Sequence, residues 1–155
     1  MSEWLPNSVF EQGIAILPLV SIDLIIKDRK SGDYLLGLRK NRPAESYWFV
    51  PGGRIRKNER LNNAFLRITE IEIGCAISMA SAYFKGVYQH FYYDCVFNSE
   101  TSTHYVVLAY ELELNLDELS LPSGQHSQYE WLSAEEILAR IDVHQHSKDY
   151  FLRDT

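Results

Sequence analysis

The chain has 155 residues, of which 46% are hydrophobic and 23% are charged, and this composition is typical of one globular domain. The formal net charge of −6 argues against nucleic acid or an anionic membrane as a partner. The most apolar N-terminal run, Ile14–Ile26, is interrupted by a proline and an aspartate and is too short to span a bilayer. Cys75 and Cys95 lack the spacing of a metal site or a disulfide framework, so we interpret them as reduced thiols. We therefore expect residues 1–155 to form a single cytoplasmic domain.

The first fifty residues predict an arm followed by a hairpin. Residues 1–13 carry a few apolar side chains among polar ones, which predicts a loosely docked N-terminal arm. Pro18–Lys27 is rich in branched apolar residues and predicts a strand. Tyr34–Leu38 predicts the returning strand, after a turn at Asp28–Asp33 that contains a glycine. The next predicted elements are a loop, Asn41–Ser46, and a short strand, Tyr47–Val50.

The stretch Pro51–Cys75 predicts a glycine turn followed by a helix. Gly52-Gly53 allows the backbone to turn tightly and to approach a ligand closely. Apolar residues then recur at three- and four-residue spacing, and Gly74 is the usual residue just after a helix. Glu72 falls within this apolar stripe, where a carboxylate needs a partner such as a bound cation. The alternative is a frayed last turn that exposes Glu72 to water. The stripe comprises Leu61, Ala64, Phe65, Ile68 and Ile71.

The second half of the chain predicts further strands and two short helices. Aromatic residues are dense in Met79–Val96, which predicts one or two strands, and His104–Leu114 predicts another. Leu116–Ser127 contains proline and glycine and predicts a loop. The remaining predicted elements are a strand, Tyr129–Leu132, a helix capped by Ser133 and running to about Ile141, and a helical tail, Ser147–Arg153. The pattern predicts an α/β (α+β) fold in which helices cover a mixed β-sheet.

Several polar residues stand out, and each has two interpretations from the residues alone. His126 lies in a predicted loop, where it is either an exposed side chain or a group that moves protons near neutral pH. Asp23 interrupts an apolar strand, so it either faces water or serves a site. His90 stands among aromatic residues, where a buried structural histidine is the common case. Arg39-Lys40 is either a solvated basic face or a phosphate-binding group.

The Pro51–Cys75 stretch resembles the sequence box of the Nudix hydrolases. That box reads Gly, five residues, Glu, seven residues, Arg-Glu, an apolar residue, any residue, Glu-Glu, any residue, Gly. Ile68 and Ile71 stand where the box has two metal-binding glutamates, which argues against the usual site with several metal ions. The positions that match the box spacing are Gly53, Glu59, Arg67, Glu72 and Gly74.

The altered box is similar to that of one branch of the family, the GDP-mannose mannosyl hydrolases. Other segments resemble the same branch, namely PLVSIDLII, LLGLRKNRP, YWFVPGGR, GVYQHFYYD, THYVVLAY, QHSQYEWL and SKDYFL. The resemblance implies a Nudix fold, a homodimer, and one Mg²⁺ per active site, with Mn²⁺ as the alternative ion. It also implies hydrolysis of GDP-mannose to GDP and the free sugar, with GDP-glucose as a second candidate substrate. Water would attack the anomeric carbon with inversion.

The resemblance further implies a role for each matched residue. His126 is the general base, and Asp23 and His90 lie beside the mannose. The implied metal ligands are Glu72, Gln125 and the carbonyl of Gly52. The residues implied to neutralise the departing GDP are Arg39, Lys40, Arg54 and Arg67. Tyr105 is implied to donate its hydroxyl to the leaving diphosphate, and Phe10 to touch the substrate. We interpret the remaining histidines, His104, His144 and His146, as surface or structural residues.

Two other functions stay open at this point. A conventional Nudix pyrophosphatase would split the diphosphate into GMP and mannose 1-phosphate, and Ile68 and Ile71 argue against it. A non-catalytic Nudix-like domain would only sense a nucleotide, and the retained Glu72, Gln125 and His126 argue against that.

Overall fold

A computed structural model describes residues 4–121 and 126–152, and a mixed β-sheet lies at its centre. The strands are β1 (Leu19–Asp28), β2 (Tyr34–Arg39), β3 (Trp48–Phe49), β4 (Gly52–Arg54), β5 (Tyr83–Tyr92), β6 (Thr103–Leu114) and β7 (His126–Leu132). The helices are α1 (Asn7–Ile16), α2 (Leu61–Ile73), α3 (Ala134–Ala139) and α4 (Gln145–Lys148). Short 3₁₀ turns are found at Met79–Ser81, Leu116–Glu118 and Asp149–Phe151.

The sheet has the strand order β3-β2-β1-β6-β5, with β4 also paired to β1 and β7 to β2. The central pair, β1 and β6, is parallel over the whole length of β1, whereas the other pairs are antiparallel. Central strands of this kind are covered on both faces, and β1 is accordingly buried at six consecutive residues, 21–26. The predicted mixed sheet is confirmed.

Helices cover both faces of the sheet and form two hydrophobic clusters. On one face, Phe65 and Ile68 of α2 pack with Ile22 of β1. On the other face, Ile25 of β1 packs with Ile137 of α3 and with residues near the C-terminus. Because side chains alternate along a strand, neighbouring residues of β1 serve different clusters. This arrangement confirms the predicted sheet between helices. In residues 4–121 and 126–152, no helix is long and apolar enough to cross a membrane.

Two predicted elements are wrong. Residues 7–13 belong to α1 rather than to a loose arm, and Ile14 of this helix is buried. The helix forms because Phe10 and Ile14 stand four residues apart, so both fall on the face that meets the body of the protein. The predicted loop Leu116–Ser127 ends too late, because β7 already begins at His126. A strand paired to β2 therefore replaces a loop at this position.

Helix α2 ends as predicted, but its buried apolar stripe is narrower than predicted. Leu61 and Ile71 are 43% and 46% exposed, so these two apolar residues do not belong to the buried face. Glu72 is only 4% exposed and lies within the helix, so the frayed-end interpretation is wrong. Gly74 follows with a left-handed backbone, φ +78°, and its N–H donates to the carbonyl of Glu70.

Replacing Gly74 by alanine is expected to destabilise the protein by about 2–4 kcal/mol. The left-handed backbone penalises any Cβ, and a Cβ here would collide with the carbonyl oxygen of Ser120. Gly13 of α1 is the matched control, because a Cβ there meets nothing within 4 Å. Gly13→Ala should stabilise the protein by about 0.5–1 kcal/mol. Urea unfolding of both variants measures the difference, and equal stabilities would contradict the prediction.

Candidate active site

A cavity of about 440 Å³ lies where β1, β4, α1 and α2 meet. Strand β1 brings Asp23 into it, the glycine turn brings the main chain, and α2 brings its buried carboxylate. The predicted site residues that line it are Phe10, Asp23, Arg39, Gly52, Arg54, Arg67, Glu72 and Tyr105. Residues far apart in the chain therefore share one cavity, as expected of a ligand site.

Four predicted site residues are placed differently. Lys40 is exposed and does not line the cavity. His90 is buried and reaches the cavity only through contacts with other side chains. The main chain of His126 pairs with Arg39 at the start of β7, beside a register shift, while its side chain lies outside the described structure. Gln125 lies outside the described residues.

The cavity is positively charged even though the chain as a whole is acidic. Its described lining contains two carboxylates, Asp23 and Glu72, and five arginines. Those arginines are Arg39, Arg42, Arg54, Arg56 and Arg67. Guanidinium groups donate paired hydrogen bonds to phosphate oxygens, so this lining suits an anionic phosphate ligand.

The N-terminal helix completes one wall of the cavity. The guanidinium carbon of Arg54 lies 4.0 Å from the ring centre of Phe10, a cation–π distance. Similarly, Arg56 lies 4.6 Å from the ring centre of Trp4. Burial lowers the pKa of Arg54 from its ordinary value. In this wall, the aromatic rings and the planar guanidinium groups together present flat surfaces to a ligand.

Arg67 holds the loop that precedes α2. Its Nε and Nη2 atoms donate to the two oxygens of Glu59, each at 2.8 Å, and Nη2 also donates to the carbonyl of Arg54 at 2.8 Å. The hydrogen bonds from Arg67 hold the pKa of Glu59 below its usual range. The box residues Glu59 and Arg67 fix the main chain that carries Arg54.

Asp23 is a buried carboxylate beside the glycine turn. It is 8% exposed, and burial raises its pKa to about 7, assisted by the nearby negative charge of Glu72. A hydrogen bond from Tyr150 and the positive charge of Arg39 act in the opposite direction. A Cβ at Gly52 would collide with Oδ1 of Asp23, so only glycine allows this close approach. The wet-face interpretation of Asp23 is wrong.

His90 belongs to a group of three neighbouring histidines and is linked to Asp23 through the Tyr150 hydroxyl. Its ring lies parallel to that of His146, with centres 4.2 Å apart, and His144 lies 4.6 Å from His146. Burial, together with these two neighbours, lowers the pKa of His90 to about 3, so its ring is neutral at pH 7. His144 and His146 were predicted to be surface or structural residues, and the stacking of His146 on His90 was not anticipated.

The cavity offers oxygen ligands, which suit a divalent cation, rather than a cluster of histidine or cysteine ligands. Within residues 4–121 and 126–152, no group of three His, Cys, Asp or Glu side chains is arranged to hold a metal ion. Two buried carboxylates, Asp23 and Glu72, nevertheless lie close enough for one to raise the pKa of the other. Such a pair is stabilised by a hard cation with oxygen ligands. Glu72 and the main chain at Gly52 are the described groups that could hold it.

Tyr150 is a residue of this region that sequence reasoning did not assign. Its hydroxyl donates to Oδ2 of Asp23 at 2.6 Å and lies 3.3 Å from Nε2 of His90. The one available signal was the segment SKDYFL, which contains Tyr150 and resembles the same family branch without implying a role.

Comparisons with known proteins identify a similar sequence and similar folds. The chain is 40% identical over 124 residues to the low-salt glycan biosynthesis protein Agl8 of Haloferax volcanii, covering 80% of this chain and 76% of that protein. A MutT NUDIX hydrolase structure from Burkholderia pseudomallei matches with a TM-score of 0.67 and 23% identity, over 89% of this chain and 98% of the other. The MutT protein of Methanosarcina mazei Go1 matches with a TM-score of 0.66 and 23% identity, over 86% and 91%.

The family assignment rests on the length of the match as well as on the box. The profile of the NUDIX domain matches residues 17–154, which include the sheet and both covering layers of helices. The two solved structures share the same sheet flanked by helices over most of their length. Taken with the Glu59–Arg67 pair and the glycine turn beside α2, these matches show that the chain belongs to the Nudix hydrolase family.

Proposed function

We propose that this protein hydrolyses GDP-mannose to GDP and free mannose by attack of water at the anomeric carbon. One observation supports this choice most directly. Ile68 stands at the place of a box glutamate, is 1% exposed and packs in the core. It lies so close to Gly53 that a Cβ added to Gly53 would be only 3.1 Å from the Ile68 side chain. A carboxylate for a second metal ion is therefore missing on this side of the cavity. The related Agl8, a glycan biosynthesis protein, supports a sugar-nucleotide substrate.

The charges of the cavity suit a departing diphosphate. Arg39 and Arg54 line the cavity and would bind the phosphate oxygens of GDP as negative charge develops there. Tyr105 also lines it, and burial raises the pKa of its phenol, so it remains a hydrogen-bond donor at neutral pH. One Mg²⁺ or Mn²⁺ held by Glu72, Gln125 and the Gly52 carbonyl would supply further stabilisation of the leaving group.

The sugar would lie on the side of Asp23. Its carboxylate favours the positive charge that builds on the sugar ring when the glycosidic bond breaks. A cation in the cavity and Arg39 would both hold Asp23 in its charged form, in spite of its burial. The neutral ring of His90 lies near Asp23, to which it is linked through the Tyr150 hydroxyl. His126 would accept a proton from the attacking water as a general base. Attack opposite to GDP releases β-mannose from an α-linked substrate.

Hydrolysis in water enriched in ¹⁸O tests this reaction. We expect the label in mannose, with unlabelled GDP as the second product, measured by mass spectrometry. Proton NMR during the first minutes should show β-mannose before mutarotation mixes the anomers. Label in GDP, or release of GMP and mannose 1-phosphate, would show attack at phosphorus and refute the proposal. Omitting the divalent ion is the control for metal-dependent turnover. A protein that binds GDP-mannose without product release would be a nucleotide-sensing domain.

A further inference from the structure

The C-terminal segment is built into the wall behind the cavity. The main-chain N–H of Val50, next to the glycine turn, donates to Oγ of the buried Ser147 at 3.0 Å. One turn later, Tyr150 is 2% exposed and packs against the sheet. Nε2 of His146 lies 3.2 Å from the carbonyl of Phe91 on β5. These contacts tie residues 145–151 to the segment before β4 and to β5, so the Tyr150 side chain is held in place.

The two oxygens of Asp23 have different neighbours. Oδ1 lies against the backbone of Gly52, where even a methyl group has no room. Oδ2 accepts a 2.6 Å hydrogen bond from the Tyr150 hydroxyl. Burial raises the pKa of Tyr150 far above that of an ordinary phenol, so the phenol keeps the proton that it donates. The phenol oxygen in turn faces Nε2 of His90 at 3.3 Å, which limits its rotation.

We propose that Tyr150 is a positioning residue, whose hydroxyl holds the Asp23 carboxylate in the orientation that the reacting sugar needs. This inference rests on the proposed function, in which Asp23 faces the anomeric carbon. A carboxylate bonded on one oxygen and blocked on the other cannot rotate out of the cavity. Preorganisation of this kind stabilises developing charge without reorganisation during the reaction. The buried His90 ring supports Tyr150 through its 3.3 Å contact with the phenol oxygen.

Tyr150→Phe removes the hydroxyl while the ring remains. We expect kcat for GDP-mannose to fall about 10- to 100-fold, with KM changed less than about threefold. A purely structural role would instead lower the fraction of active protein, which titration with GDP measures. Tyr88→Phe is the matched control, because the Tyr88 ring contacts the Tyr150 ring edge-on with centres 4.7 Å apart. Its kcat should stay within about twofold of wild type.

A double-mutant cycle separates positioning from general destabilisation. If Tyr150 acts through Asp23, then Tyr150→Phe should lower kcat no further in an Asp23→Ala background. Losses that multiply would overturn the inference. If Tyr150→Phe does not fold, incorporation of 3-fluorotyrosine at this position keeps both the ring and the hydroxyl. That protein should retain kcat within about threefold of wild type, and a loss as large as 100-fold would overturn the inference.

Crystal structures distinguish a failure of this inference from a failure of the proposed function. In wild type, the Asp23 carboxylate should occupy one rotamer bonded to Tyr150, and in Tyr150→Phe it should turn or occupy several. An unmoved carboxylate in the variant would overturn the positioning role whatever the substrate is. A moved carboxylate in a protein that does not hydrolyse GDP-mannose would support the positioning role and refute the proposed function alone.

Discussion

Glu72→Gln is expected to lower kcat for GDP-mannose by about 100- to 1,000-fold and to remove its dependence on Mg²⁺ concentration. Glu72 is a carboxylate buried in the wall of the cavity, and glutamine keeps its shape while removing the negative charge that a cation needs. Without the cation, the departing GDP loses a stabilising charge worth several kcal/mol. Initial rates measured across a range of Mg²⁺ concentrations, with calorimetric titration of the ion, give both quantities.

Glu70→Gln is the matched control for this experiment. Glu70 lies on the same helix but is exposed, and it does not line the cavity. Its substitution should leave kcat and the Mg²⁺ dependence within about twofold of wild type. Equal effects of the two substitutions would show that the charge of the helix matters rather than a metal ligand at Glu72. An unchanged Mg²⁺ response in Glu72→Gln would contradict the proposed metal site.

His126→Gln is expected to lower kcat by about 100- to 10,000-fold while GDP still binds. A general base acts on the attacking water, so its loss should leave the contacts of the leaving nucleotide intact. The pH dependence of kcat should change as well, because the acidic limb that reports protonation of the base should disappear. Discontinuous assays between pH 5 and 9 measure kcat and its pH dependence, and calorimetry measures GDP binding.

His104→Gln provides the comparison for that variant. The His104 ring stacks on Phe91 with centres 4.4 Å apart and does not line the cavity. Its kcat should therefore remain close to that of wild type. Turnover of His126→Gln at the wild-type rate at neutral pH would mean that another group activates the water, and the proposed mechanism would be wrong.

Local patterns predicted the parts of the site that lie close together in the chain. The spacing from Gly53 to Gly74 predicts one glycine turn and one helix, because a helical period and a terminal glycine are local properties. The burial of Glu72 followed from the same period. The period did not show that Leu61 and Ile71 are exposed, since the width of a buried stripe depends on what packs against it.

Contacts between distant segments were beyond such reasoning. Tyr150 and Asp23 are separated by 127 positions, and only the docked C-terminal segment brings them together. The stacking of His90 on His146 depends on the same docking. The start of β7 at His126 was also missed, because pairing with β2 decides where that strand begins, and turn-forming residues nearby favoured a loop.

The packing of Ile68 beneath Gly53 also constrains how this enzyme could acquire another chemistry. Ile68 packs against Phe65 and Ile22 and also lines the cavity, so a glutamate at position 68 would disrupt apolar packing while it added a carboxylate to the cavity wall. Replacing Ile68 by glutamate would thus cost packing in the scaffold as well as adding a ligand for a second cation. Under the proposed function, an engineer who wanted a second cation site for attack at phosphorus would need to redesign the neighbours that pack on Ile68 as well as this position.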